Sequence, residues 1–254
     1  MPAENRYALV TGGGKRIGRA IVEDLAAHGF GVAIHCNHSR KDADLVCEKI
    51  RAAGGRALVV EADLTDMKVV EGLVTRAAGE LGPISLLVNN ASVFEDDTAT
   101  DFDWDVWDRH FAVHLKAPVM LARSFAAALD PSAQGLVVNI IDQRVWRLNP
   151  RFFSYTLSKS ALWTATQTLA MALAPNIRVN AIGPGPTLAN ARQQQAAFEA
   201  QVEKVLLKRA PDLAEFGATI RYLYETPSIT GQMIALDGGQ HLAWQTPDVA
   251  GMDE

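Results

Sequence analysis

The chain has 254 residues, of which 48% are hydrophobic and 21% charged; this composition is typical of a folded globular protein and excludes a disordered chain. Its formal net charge is −5 and its lysines and arginines are scattered, so nucleic acid is not an expected partner. Two cysteines, Cys36 and Cys47, are too few for a disulfide framework or a metal cluster, and we expect no metal.

Short apolar segments rich in β-branched residues alternate with longer segments of helical periodicity. The seven predicted strands are residues 7–11, 31–35, 57–61, 85–89, 136–141, 177–182 and 233–236. The predicted helices include residues 17–28, 43–53, 69–81, 104–129 and 155–173. Strands joined by helical crossovers form a parallel sheet that is covered on both faces. We therefore predict a doubly wound (Rossmann) α/β fold with seven parallel strands.

The chain is expected to form one domain over residues 1–254, because no linker, repeat or low-complexity segment divides it. Only the residues from about 246 onward have the composition of a flexible tail. Residues 1–6 lack the apolar core of a secretory signal, and no apolar run approaches the ~20 residues that a membrane helix needs. We expect a cytoplasmic protein with no membrane partner.

The first predicted strand leads directly into a glycine-rich turn, TGGGKRIG at residues 11–18, and then into a helix. This order places backbone N–H groups and the positive end of a helix where a pyrophosphate binds. We predict that Gly12, Lys15, Arg16 and Ile17 contact a dinucleotide. The alternative is a turn that merely connects strand to helix.

Polar residues without an acid, Asn37, His38 and Ser39, follow the second predicted strand. An NAD-binding protein usually has an acidic residue there for the ribose hydroxyls. Because that carboxylate is missing and Lys15 and Arg16 lie in the neighbouring turn, a 2′-phosphate is attracted rather than repelled. We therefore predict NADPH/NADP+ as the cofactor, with a solvated turn as the alternative interpretation of residues 37–39.

Further polar positions follow the third and fourth predicted strands. Asp63 and Leu64 come after the third strand, and Asn90, Ala91 and Ser92 come after the fourth. Open α/β sheets bind their ligands at these carboxyl ends, so we predict that all five residues line one crevice. Asparagine and serine also close turns by bonding their own backbone, which is the alternative for each of them alone.

Tyr155 and Lys159 are four residues apart near the start of a predicted helix, so their side chains share one helix face. A free tyrosine loses its proton near pH ~10, and a neighbouring ammonium group and an oxidised nicotinamide both favour the phenolate form. Lys159 is therefore expected to make the Tyr155 phenol a better acid. We predict that Tyr155 is a proton donor.

Together with Pro184 and Gly185 after the sixth predicted strand, these motifs resemble the short-chain dehydrogenase/reductase family over nearly the whole chain. The resemblance implies hydride transfer from a nicotinamide cofactor, a homotetramer, and contact of Pro184 and Gly185 with the cofactor. It also implies that Lys159 orients the ribose and tunes Tyr155.

Two departures from the ordinary family pattern point to one branch of it. Arg16 stands where ordinary members have a glycine, and Asp142 stands where most have the serine that polarises a substrate carbonyl. An ionised carboxylate only accepts hydrogen bonds, so Asp142 suits a substrate or a proton relay that is rich in donors. With the segment NASVF at residues 90–94, these departures resemble the pteridine reductase and dihydromonapterin reductase branch.

That branch implies a flat pterin substrate, with Phe94 stacked on its ring. The predicted substrate contacts are Ser92, Phe94, Asp142, Trp146 and Tyr155. The alternative for Phe94 is packing against Trp104 or Trp146.

His114 is a third departure, because ordinary members have an asparagine there, and a histidine resembles the bacterial dihydromonapterin reductases. We add His114 to the predicted catalytic residues Asp142, Tyr155 and Lys159, as a proton relay from Lys159. A satisfied core histidine is the alternative.

Two charged segments near these residues are expected to be solvent-exposed. Arg144, Arg147 and Arg151 fall in the rim of the pocket, where a folate glutamate tail is a conceivable partner, but we interpret them as surface residues. The acidic run from residues 95–97 through Asp105 is interpreted mainly as a solvated face.

We therefore predict NADPH-dependent reduction of a dihydropterin to its tetrahydro form, with Tyr155 as the proton donor. Dihydromonapterin, dihydrobiopterin and dihydrofolate share the reducible ring and differ in the side chain, so all three are candidate substrates. The alternatives are a general carbonyl or 3-oxoacyl reductase of the same family, and a non-catalytic NADPH-binding protein.

Overall fold

The computed structural model describes residues 6–189 and 194–245. Within them, one sheet contains seven parallel strands in the order β3-β2-β1-β4-β5-β6-β7. The strands are β1 (Tyr7–Val10), β2 (Gly31–Cys36), β3 (Ala57–Glu61), β4 (Leu86–Asn89), β5 (Gly135–Ile140), β6 (Ile177–Pro184) and β7 (Met233–Leu236). Each confirms a predicted strand. The strand order reverses between β1 and β4, which opens a crevice at the carboxyl ends of the strands.

Nine α-helices lie in the described part of the chain. They are α1 (Arg16–Ala27), α2 (Arg40–Ala52), α3 (Met67–Glu71), α4 (Leu73–Leu81), α5 (Trp104–Phe111), α6 (Ala117–Ala128), α7 (Phe153–Ala172), α8 (Gln195–Val202) and α9 (Leu213–Glu225). The single helix predicted over residues 69–81 is wrong, because the structure divides it at Gly72 into α3 and α4. A π-helical turn, Ala112–Lys116, separates α5 from α6. Helices α8 and α9 were not among the predicted helices.

The sheet is covered on both faces. Ile21 of α1, Val46 of α2 and Phe216 of α9 pack on one face, and Leu121 of α6 and Ala170 of α7 belong to the core of the other. The central strands β1, β2, β4 and β5 are therefore buried along their whole length. This burial explains why they are continuous apolar runs rather than alternating ones.

The doubly wound fold class is thereby confirmed. The tail predicted from residue 246 lies outside the described residues. Among residues 6–189 and 194–245, we find no helix with the length and hydrophobicity needed to span a bilayer.

Candidate active site

The carboxyl ends of the strands open into one cleft of about 1280 Å³. Ligand pockets are commonly roughly 300–1,000 Å³, so the cleft has room for a dinucleotide and a second small molecule. It brings together most of the predicted site residues. Those that line it are Gly12, Lys15, Arg16, Ile17, Asn37, His38, Ser39, Asp63, Leu64, Asn90, Ala91, Ser92, Phe94, Asp142, Tyr155, Lys159, Pro184 and Gly185.

The glycine-rich turn is packed so closely that two of its glycines cannot be replaced without a rearrangement. A Cβ atom on Gly18 would lie 2.1 Å from the Gly12 carbonyl oxygen. Gly12 itself has a φ of +64°, a left-handed conformation that glycine adopts without steric cost. The Asn90 side-chain amide donates to the carbonyls of Thr11 (2.8 Å) and Gly12 (3.2 Å). Asn90 therefore fixes the turn as well as lining the cleft.

His35 also fixes this turn, from the end of β2. Its Nδ1 accepts the Gly12 backbone N–H at 3.1 Å, so the ring proton is on Nε2, which donates to the Ala62 carbonyl at 3.1 Å. Burial lowers the pKa of His35 to about 4. The neutral ring thus ties the turn to the chain that follows β3.

The basic residues of the turn lie at the mouth of the cleft. The Lys15 ammonium pairs with Asp42 of α2 at 3.0 Å. Arg16 has a φ of +51°, a conformation that costs a non-glycine residue roughly 1–2 kcal/mol, and its guanidinium donates to the carbonyls of Leu188 (3.2 Å) and Ala189 (3.0 Å). Arg16 therefore links the turn to the segment after β6. The glycine turn, these two cations and the acid-free residues 37–39 fit a dinucleotide that carries a 2′-phosphate.

Tyr155 and Asp142 form the polar centre of the cleft. The Tyr155 hydroxyl donates to Asp142 Oδ2 at 3.0 Å, and the Arg144 backbone N–H donates to Asp142 Oδ1 at 2.9 Å. Burial, followed by the charge of Asp142, raises the pKa of Tyr155 well above its usual value. The phenol is therefore held protonated, as a proton donor requires.

Lys159 is buried and lines the cleft together with Tyr155. Its ammonium donates to the Ile140 carbonyl at 2.8 Å and lies 5.8 Å from the centre of the Tyr155 ring. Burial and Asp142 dominate the pKa of Tyr155 in this structure, so the expectation that Lys159, together with a bound oxidised nicotinamide, makes the phenol more acidic stays a prediction. Burial also lowers the pKa of Lys159 itself, to about 8.

This shift predicts a pH dependence. Lys159 is protonated below its pKa and loses its charge as the pH rises through about 8. We expect kcat/KM for an anionic dinucleotide to fall over that range, because this ratio reports the pKa values of the free enzyme. A pH profile of wild type and Lys159→Arg checks the prediction, since arginine stays charged. A wild-type profile that is level through pH 8 and above would contradict it.

His114 does not line the cleft within the described part of the chain. Its Nε2 accepts the Val93 N–H at 3.1 Å and the Ser92 hydroxyl at 3.0 Å, and its Nδ1 bonds Ser158 Oγ at 2.8 Å. Burial lowers the pKa of His114 well below its usual value. The relay from Lys159 stays a prediction, and these contacts favour a positioning role.

Phe94 packs against neither of the tryptophans considered above. Its ring is stacked on Phe152, with centroids 4.3 Å apart, and it meets Tyr155 edge-on at 4.8 Å. The alternative of packing against Trp104 or Trp146 is therefore wrong. Phe94 lies beside Tyr155, where a flat ligand ring can contact it.

Arg144 is the residue of this site that sequence reasoning placed wrongly. It lines the cleft, its side chain is 19% exposed, and its guanidinium lies over the rings of Phe152 (4.7 Å) and Phe94 (5.6 Å). Its Nη1 is buried and has no hydrogen-bond partner among the described residues. No local sequence signal distinguishes Arg144 from Arg147 and Arg151, because its position over Phe152 and Phe94 is a tertiary contact.

The other two arginines of this segment do lie at the surface, as expected. Arg147 donates to the Gln240 carbonyl at 3.0 Å, and Arg151 pairs with Asp96. Trp146, which we predicted to contact substrate, does not line the cleft among the described residues. The 3-10 turn Gln143–Val145 precedes it, and its ring packs against Trp163 and His241 instead.

The family model described as short chain dehydrogenase matches residues 6–200. The alternative dihydrofolate reductase FolM from Brucella canis, solved as a complex with NADP, is 62% identical, covers 98% of each chain and has a TM-score of 0.95. The FolM structure from Brucella suis, also with NADP, is 63% identical, covers 98% of this chain and 100% of that one, and has a TM-score of 0.95.

Relatives with other names are more distant in sequence. An uncharacterised oxidoreductase from Mycobacterium tuberculosis is 33% identical over 252 residues, which is 93% of this chain and 92% of that protein. L-xylulose reductase from Bos taurus is 34% identical over 244 residues, which is 92% of this chain and 96% of that protein. Each of these four comparisons covers at least 92% of this chain.

Proposed function

The chain belongs to the short-chain dehydrogenase family, and we propose that it catalyses the NADPH-dependent reduction of a dihydropterin ring, as a free dihydropterin or as dihydrofolate. The observation that carries this proposal is the 3.0 Å hydrogen bond from the Tyr155 hydroxyl to the Asp142 carboxylate. A carboxylate accepts hydrogen bonds from the N–H groups of a pterin but cannot donate one to a ketone oxygen. The names and bound NADP of the two similar Brucella proteins support the same function.

NADPH, when bound, supplies the hydride that reduces the C=N bond of the ring. The backbone of the glycine turn would hold its pyrophosphate. Lys15 and the polar side chains of residues 37–39 would face the 2′-phosphate end, while Lys159 and the chain at Pro184 and Gly185 would face the nicotinamide end. All of these residues line the cleft.

Side chains of the protein supply the proton and bind the pterin ring. Tyr155 supplies the proton to the nitrogen of the reduced bond, since its raised pKa keeps it protonated until transfer. Asp142 orients the Tyr155 hydroxyl and accepts hydrogen bonds from the donor edge of the ring. Phe94 offers an aromatic surface beside Tyr155, and the Ser92 hydroxyl lies at the same wall of the cleft.

The direct test is the rate of NADPH oxidation with dihydromonapterin, dihydrobiopterin and dihydrofolate, beside simple ketones and an acetoacetyl thioester. The ratio kcat/KM is compared because it reports transition-state discrimination. We expect pterin turnover well above ketone turnover. Ketone or thioester turnover alone would favour a general carbonyl reductase, and no NADPH oxidation with any compound would favour a non-catalytic binding protein.

Arg144 gives a prediction about the part of the substrate that it recognises. Its guanidinium lies 4.0 Å from Asp142 Oδ1 and over the Phe94 ring. The Arg144 side chain is therefore placed beside the residues proposed to bind the pterin ring. We expect Arg144→Gln to lower kcat/KM by roughly tenfold for dihydromonapterin and dihydrofolate alike, because a charge-assisted contact is lost. Parallel assays of both substrates check this. A loss confined to dihydrofolate would mean that Arg144 binds the glutamate tail instead.

The assembly is proposed to be a homotetramer in the cytoplasm. Large apolar side chains are exposed on two helices, Trp104 of α5 (64%) and Met171 of α7 (73%), and such apolar surface favours self-association. Cys36 and Cys47 are both unpaired thiols, which is compatible with a reducing compartment. Light scattering is expected to give four times the chain mass of 27.5 kDa.

A further inference from the structure

The loop that carries Phe94 runs from the end of β4 towards α5, and two stacked histidines hold it against α7. His110 is in the last turn of α5 and His114 is in the π-helical turn. Their ring centroids are 5.4 Å apart with the planes at 18°, and both residues are buried. In each ring, one nitrogen accepts a backbone N–H from the loop, and the other nitrogen is hydrogen-bonded to a serine hydroxyl of α7.

The His110 ring begins a continuous chain of hydrogen bonds. Its Nε2 accepts the Glu95 backbone N–H at 3.3 Å, so the ring proton is on Nδ1 and is donated to Ser154 Oγ at 2.7 Å. The Ser154 hydroxyl then donates to the Asp97 carboxylate. Because burial lowers the pKa of His110, the ring stays neutral and keeps this direction of donation.

Asp97 ends that chain as the cap of the helix that carries Tyr155. Its carboxylate accepts the Ser154 backbone N–H at 3.1 and 3.2 Å, and its carbonyl accepts the Phe153 N–H at 3.2 Å. Phe152 occupies the N-cap position but has no side-chain acceptor of its own. Asp97 therefore satisfies N–H groups that the local sequence leaves open, and a carboxylate at this end also interacts favourably with the helix dipole. The interpretation of residues 95–97 as a solvated face is thus wrong for Asp97, which is 7% exposed.

We propose that Asp97, Ser154 and His110 are positioning residues that set the separation of Phe94 and Tyr155, and hence the fit of a flat substrate ring between loop and helix. Glu95, whose N–H is bound by His110, follows Phe94 directly, Asp97 is three residues after Phe94, and Ser154 precedes Tyr155 by one residue. The centroids of Phe94 and Tyr155 are 4.8 Å apart. The effect on substrate affinity rests on the proposed function, whereas the effect on the loop does not.

The test compares Ser154→Ala with Ser124→Ala. Ser154→Ala removes the hydroxyl between His110 and Asp97 but keeps the backbone N–H that Asp97 caps. Ser124 is also buried in a helix, and its hydroxyl donates to the Glu71 carbonyl at 2.9 Å, away from the cleft. The two variants lose the same group and differ in location, so Ser124→Ala is the matched control. Asp97→Asn is the second variant, used if Ser154→Ala is not folded.

Two readouts are measured on each variant. Hydrogen–deuterium exchange of residues 92–97 reports the order of the loop, and steady-state kinetics with titration of NADPH separate KM for the pterin from kcat and from cofactor affinity. In Ser154→Ala we expect loop exchange and KM for the pterin each to rise by about tenfold, with NADPH affinity within about twofold of wild type. Ser124→Ala is expected to match wild type in all three.

Loop exchange in Ser154→Ala equal to that in Ser124→Ala would overturn the proposal, whatever the substrate. So would faster exchange with an unchanged KM for the pterin. If wild type does not reduce pterins at all, the proposed function fails, and loop exchange by itself then decides whether these three residues order the loop.

Discussion

Tyr155→Phe is expected to lower kcat for a dihydropterin by about 10²–10⁴-fold, the usual contribution of a positioned general acid, while NADPH binds as in wild type. The substitution removes only the hydroxyl that lies 3.0 Å from Asp142 and keeps the ring that packs edge-on against Phe94. Steady-state NADPH oxidation and a fluorescence titration of NADPH measure the two quantities separately.

Tyr224→Phe is the matched control for this prediction. The Tyr224 hydroxyl is also buried and bonds to Ser85 at 3.1 Å, on the sheet face covered by α1 and α9. Its removal is expected to cost some stability and no activity. A Tyr155→Phe enzyme that kept more than about a tenth of wild-type turnover would show that Tyr155 is not the proton donor.

Asp142→Asn is expected to lower kcat/KM for a dihydropterin by about 10²-fold or more, because an ionised acceptor facing both Tyr155 and the ring is replaced by a neutral amide. The amide oxygen can still accept the Arg144 backbone N–H that Asp142 now accepts at 2.9 Å, so the turn is retained. Asp142→Ser gives the family's usual residue and is expected to lose pterin activity in the same way.

Asp142→Asn is expected to affect stability in the opposite direction from activity, because of the pKa of Asp142. Burial raises the pKa of this carboxyl, so ionisation is less favourable in the folded chain than in the unfolded one. Stability therefore falls as the pH rises from the unfolded pKa through the folded one, and Asp142→Asn is expected to equal or exceed wild type in Tm at pH 7. Thermal unfolding at several pH values measures this.

Asp130→Asn controls for the turn itself. Asp130 Oδ1 accepts the N–H of Ser132, two residues on, at 2.8 Å, which is the same local bond that Asp142 makes to Arg144. We expect no loss of turnover from Asp130→Asn. Two results together would favour the general carbonyl reductase. They are retained pterin activity in Asp142→Asn and increased ketone activity in Asp142→Ser.

The contacts of His114 favour a positioning role for this residue. Both ring nitrogens are occupied, one by the Val93 N–H and the Ser92 hydroxyl and the other by Ser158. The Ser158 hydroxyl in turn donates to the Tyr155 carbonyl at 2.7 Å. His114 therefore connects the loop after β4 to the backbone of Tyr155, in parallel with His110, and the two neutral rings hold that loop against α7.

The sheet, the glycine-rich turn at one end of the cleft and the placement of Tyr155 and Lys159 on one helix face follow from the sequence alone. These features depend on local rules: buried parallel strands are short apolar runs, a glycine turn between strand and helix is read directly, and residues four apart share a helix face. Asp142 was also identified from the sequence, because the resemblance to the family fixes its spacing of thirteen residues from Tyr155.

The part of the cleft around Tyr155 is assembled by contacts between distant segments of the chain. Asp97 caps α7 across 57 residues of sequence, Phe94 stacks on Phe152, and Arg144 turns into the cleft while Trp146 turns away from it. No local pattern specifies these contacts, since an acidic run reads as a solvated face until a distant helix with an unsatisfied first turn is placed against it. The fold brings those two segments together, and burial then makes their hydrogen bonds obligatory.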